Sequence, residues 1–179
     1  SRGWVNVMRS GVRCRVGSVF VAALGCALVL TGCSSGQKSG NLDGVAVSEE
    51  FSREAASLSW PDGFPIPSPR YQEMDHPTVP GRSPGRAQPG VGMSDADSAW
   101  FCAWENYYLQ DPTSHADKVV TQLRGLHAMH MYQVASDANT REYFDNIVSS
   151  LELGDAGLLH KDVEANCTAS SGVTPVGPR

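Results

Sequence analysis

His127-Ala128-Met129-His130-Met131 is the one grouping in this sequence whose residue types and spacing suit site chemistry. Two histidines three apart share a helix face, a spacing that serves a pair of metal ligands. Met131 lies near that face and Met129 opposite, and a thioether would favour soft copper(I) over zinc. Two nitrogens do not complete a site, because metals of this kind take three or four placed ligands. No further Cys and no Glu-x-x-His partner follows close by. The plainer reading makes His127 and His130 structural: partly buried among Val120, Leu123 and Val134 and hydrogen-bonded to backbone or carboxylate. Burial disfavours imidazolium, so on that reading both pKa values fall on folding. The fold then loses stability between neutral pH and about pH 5, around the ordinary histidine value of ~6.5.

Signatures of catalysis are missing. No nucleophile elbow, phosphate-binding glycine loop or His-Glu-x-x-His motif is read in the chain. Ser35 and Lys38 have Ser-x-x-Lys spacing but sit in a Ser/Gly-rich stretch that could not preorganise them. The carboxylate pairs Asp95 with Asp97, and Glu152 with Asp155, read as helix ends and solvated faces. The sequence therefore offers no catalytic residue and calls for no cofactor.

The cysteines carry more. Arg9, Arg13 and Arg15 precede a 15-residue apolar or small stretch, Val16 to Leu30, and no acid occurs before Asp43. A basic start followed by a short apolar run describes an export signal, too short for a bilayer span of about 20 residues. Met8 opens a better-proportioned signal than Ser1, so translation is expected to begin there. At the end of that run stands Leu30-Thr31-Gly32-Cys33, which resembles the lipobox of bacterial lipoproteins. The resemblance implies a signal peptide over 1–32, a diacylglyceryl group on the Cys33 thiol, and cleavage at Gly32–Cys33. It further implies lipoprotein-processing enzymes as partners and a mature chain held on the extracytoplasmic face of a membrane. Each lipid methylene contributes about 0.8 kcal/mol, and two chains make such anchoring stable.

Cleavage would remove four arginines and no acid, taking the net charge from −5 to −9. A chain this acidic excludes nucleic acid as a partner, because it cannot neutralise phosphates. Cys14 and Cys26 leave with the signal and lipid consumes Cys33, so Cys102 and Cys167 remain. Two cysteines in an oxidising compartment allow one disulfide. Closing that long loop contributes about 4 kcal/mol in the chain-entropy account, and a helical core this small benefits from a staple.

The elements that position these residues follow from periodicity. Residues 33–59 read as a flexible tether, with a short helix from Ser48 to Leu58 capped by Ser48. Residues 60–93 hold eight of the 11 prolines and read as an extended Pro/Gly-rich segment. Its Trp60, Phe64 and Tyr71 are expected to cap the following domain rather than form a recognition strip.

Residues 94–168 read as an all-α module, a small bundle of about four helices. The first begins at Ser94, carries Trp100, Phe101, Trp104, Tyr107 and Tyr108 as one stripe, and ends at Asp111-Pro112. Those aromatics could floor a ligand groove, though core packing is the favoured use. Cys102 points away from the stripe, toward the last helix. The second helix is capped by Ser114 and runs through Val119, Leu123, Leu126, Met131 and Val134. A third starts near Asn139 and stops at Gly154, and a fourth runs from Asp155 to Cys167. The tail, 169–179, reads as disordered.

The sequence thus points to a non-catalytic, lipid-anchored cell-envelope module that binds an envelope protein or plays a structural part. A metal- or small-ligand-binding module using His127 and His130 is the alternative, and an envelope enzyme comes third.

Overall fold

The computed structural model describes residues 40–69, 71–76 and 80–167. The expected signal, the lipobox-like residues with Cys33, and the expected disordered tail lie outside the described residues. Among those described no helix is long and apolar enough to cross a membrane.

The fold is all-α. Its helices are α1 (Gly44–Ser57), α2 (Gln72–Asp75), α3 (Val91–Gln110), α4 (Pro112–Leu123), α5 (Ala138–Glu152) and α6 (Gly157–Asn166). A 3-10 segment, Arg124–Ala128, and a π turn, Met131–Ala135, join α4 to α5. Extended backbone pairs only at Leu42 and Ala87 among the described residues.

Helix α3 is the centre. At 20 residues it is about 30 Å long, and its buried positions run almost without a gap from Ala96 to Tyr108. A helix buried on all sides needs neighbours all round. Phe51 and Ala55 of α1 cover Ala96 on one flank. Val119 and Leu123 of α4, Ile147 and Leu151 of α5, and Leu159 of α6 complete the main core. Gly92 lets α1 approach: a Cβ there would sit 2.3 Å from the Val47 carbonyl.

The proline-rich segment is fastened to this core by side chains. The indoles of Trp100 and Trp104 both donate to the Ser59 carbonyl, at 2.8 and 3.0 Å. Trp60 donates to Ala55 O at 2.8 Å. Phe64 is buried edge-on against Tyr107, and Tyr71 packs on Phe51. These three aromatics do cap the helical domain.

The starts of α1, α4 and α5 differ from the sequence reading because aspartates upstream compete better for the open amides, and the start of α3 differs too. Asp43, not Ser48, caps α1 by accepting from Ala46 N. Gly90, in the left-handed region at φ 93°, precedes α3 one turn before Ser94. Asp111, not Ser114, caps α4, with Pro112 in the first turn. Asp137 caps α5, accepting from Thr140 N at 2.8 Å. Helix α1 also packs on α3, so the folded unit begins well before residue 94 and takes in much of the expected tether.

The second helix does not run to Val134. It ends at Leu123, Met129 is extended at φ −84° and ψ 152°, and Val134 is 68% exposed. The ends of α3, α5 and α6 fall close to expectation, with Gly154 at φ 81° past the end of α5.

Candidate functional site

A cavity of about 500 Å³ opens beside α3, within the range of small-molecule sites. Asp95, Ser98, Phe101 and Cys102 of α3 form one wall. Thr140, Tyr143 and Phe144 of α5 face them, with Asp162 and Asn166 of α6. Met131 of the π turn, Phe51 of α1, and Ser68, Pro69 and Tyr71 close the remainder. Ring contacts fix the aromatic surface: Phe101 meets Phe144 edge-on at 5.2 Å, and Tyr143 lies 6.0 Å from Phe144.

Two tyrosine–aspartate pairs give the cavity its polarity. The Tyr71 hydroxyl donates to Asp95 Oδ2; burial, then that carboxylate, pushes the phenol well above its usual value. Burial, then the neighbouring Asp162, pushes Tyr143 up to about 12. Both rings are therefore neutral donors at physiological pH. Asp162 is itself buried and accepts from Asn166 Nδ2 at 2.7 Å.

Behind this wall lies the disulfide. Cys102 and Cys167 are bonded, with Cα atoms 5.5 Å apart, so Cys102 does face the last helix. Glu105, one turn along α3, is fully buried, and the Cys167 sulfur lies 3.4 Å from its Oε2. Burial, then the adjacent Asp162, raises the Glu105 pKa strongly. As a carboxylate its Oε1 would have no donor, and as a neutral acid it avoids a second buried charge beside Asp162. Cys102, Glu105 and Cys167 are the one grouping of three potential metal donors among the described residues. In the disulfide neither sulfur has a thiolate to offer.

The chain matches no family model, curated protein or solved structure. Its chemistry is therefore read from its own geometry.

That geometry separates the two histidines. His127 sits in the 3-10 segment with its side chain 65% exposed, 2.8 Å from Asp145 Oδ1. His130 turns inward, its Nδ1 3.0 Å from Ser94 Oγ and its ring against Gly90, where a Cβ would lie 2.4 Å away. They share no helix face because the helix that would align them is broken at Met129. Neither belongs to a grouping of three metal donors among the described residues, and neither lines the cavity. The burial argument fails outright for His127.

Glu152 and Asp155 are solvated as expected, but Asp97 is not. It is fully buried, accepting from the Met131 amide at 2.8 Å, with Oδ1 unpartnered. A signal for it existed: Asp97, Phe101, Trp104 and Tyr108 recur at helical spacing on one stripe. The sequence reading also passed over two Gly-x-Ser-x-Gly pentads, at 32–36 and 81–85. The first lies outside the described residues. In the second, residues 81–85 are turn and irregular backbone and no helix starts in them, so they lack the strand-to-helix turn of an elbow.

Proposed function

We propose that this chain is an extracytoplasmic lipoprotein, anchored through lipid on Cys33, whose helical module is a non-catalytic binding module. The observation that carries the binding reading is the cavity beside α3, with rings and hydrogen-bonding groups converging from α1, α3, α5, α6 and the proline-rich segment. Binding sites are commonly apolar concavities with a few placed polar groups, and this one has that make-up. It replaces the histidine pair as the place where a small ligand would sit.

The lipobox resemblance supplies the address. Its basic-then-apolar leader supports export, and the cysteines left over for a disulfide fit an oxidising compartment. A protein of the same envelope remains the proposed partner, with the lipid restricting both molecules to one membrane surface.

A fragment screen by NMR on the labelled full chain tests the binding reading. Hits should shift the amides of Ser98, Tyr143 and Asn166, and disappear in Ser98→Trp, whose indole fills the space. A screen without cavity hits, or with hits indifferent to the filled cavity, refutes it.

A further inference from the structure

We propose that the cavity takes an organic cation: an ammonium or quaternary ammonium group carried on an apolar body. The inference rests on the binding-module reading and names the ligand class of the same site. Charge is the first argument. Asp95 and Asp162 are the acids of the wall, and among the described residues no Lys, Arg or His lines it. Among the same residues neither carboxylate forms an ion pair. Against the described wall an anion would meet two carboxylates, whereas a cation would find two acids to face.

Aromatic surface is the second argument. Phe51, Tyr71, Phe101, Tyr143 and Phe144 present rings to one space. Ring faces attract weakly hydrated cations, and aromatic enclosures are a general solution for quaternary ammonium recognition. The tyrosines strengthen this arrangement because the Tyr71 hydroxyl donates to Asp95 and Tyr143 neighbours Asp162. Each carboxylate is thereby held beside an aromatic surface, so a cation can meet charge and rings together.

An inorganic cation fits less well. A hard metal ion takes six or more oxygen ligands, whereas neither Asp95 nor Asp162 belongs to a grouping of three donors among the described residues. Cavity volume agrees with an organic body, since about 500 Å³ far exceeds the needs of a bare ion.

The test uses three probes of similar size on the labelled full chain in non-ionic detergent: benzyltrimethylammonium, benzyl alcohol and benzoate. The cation should bind at least about tenfold more tightly than the alcohol, shifting the Ser98, Tyr143 and Asn166 amides. Benzoate should leave them unmoved. Asp95→Asn and Asp162→Asn should each weaken the cation several-fold and leave the alcohol unchanged. Asp95 is exposed, so its variant keeps the test decisive even if the buried Asp162 variant misfolds. Equal affinity for cation and alcohol in the parent overturns the cation assignment while the binding reading stands. If no probe moves those amides the assignment also fails, and the fragment screen decides separately whether the binding reading fails with it.

Discussion

The backbone amide of Met131 donates to Oδ2 of Asp97 across 2.8 Å, tying the π turn to the middle of α3. The acid at this junction is fully buried, and burial raises its pKa to about 6 despite that hydrogen bond. Between pH 4 and 6 the folded chain therefore holds a proton that the unfolded chain has released. Its stabilising contribution is greatest in acid and is lost as pH rises through 6. Glu105 shifts in the same direction. This sign is opposite to the one expected from buried histidines.

Asp97→Asn reproduces the protonated acid in shape and charge. The variant should match the parent in melting near pH 4 and exceed it at pH 8, by about 2–3 kcal/mol for a shift of roughly two pH units. Melting curves at both pH values decide it. A variant no more stable than the parent at pH 8 sinks the account.

Cys102 and Cys167 should be recovered as one linked peptide pair by non-reducing mapping of the protein. Replacing both with serine should cost about 4 kcal/mol, because the 65-residue loop is then free in the unfolded chain. Alkylation of both thiols without prior reduction would contradict the pairing.

Cys33→Ala should abolish incorporation of labelled lipid and leave the signal uncleaved at Gly32. Labelling in the host followed by detergent partition reads both effects. Persistent lipid on the variant would remove the proposed anchor and, with it, the proposed location.

Much of the architecture was legible in the residues themselves. The aromatic stripe of α3, its stop at Asp111-Pro112, the end of α5 before Gly154 and the pairing of Cys102 with Cys167 all agree with the sequence reading. Each depends on local geometry: a helical period, a proline that cannot continue a helix, a glycine that turns left-handed, or two leftover cysteines. Tertiary structure decided the rest. The 123–135 stretch has an unbroken apolar period, yet Asp97 takes the Met131 amide from across the fold, Met129 turns extended, and His127 and His130 part company. Helix α1 looked too short to matter alone, but Gly92 lets it lie directly on α3. The cavity draws its walls from residues between 51 and 166. No periodicity reports which distant side chains stop short of filling a space, so only the packed chain could place it.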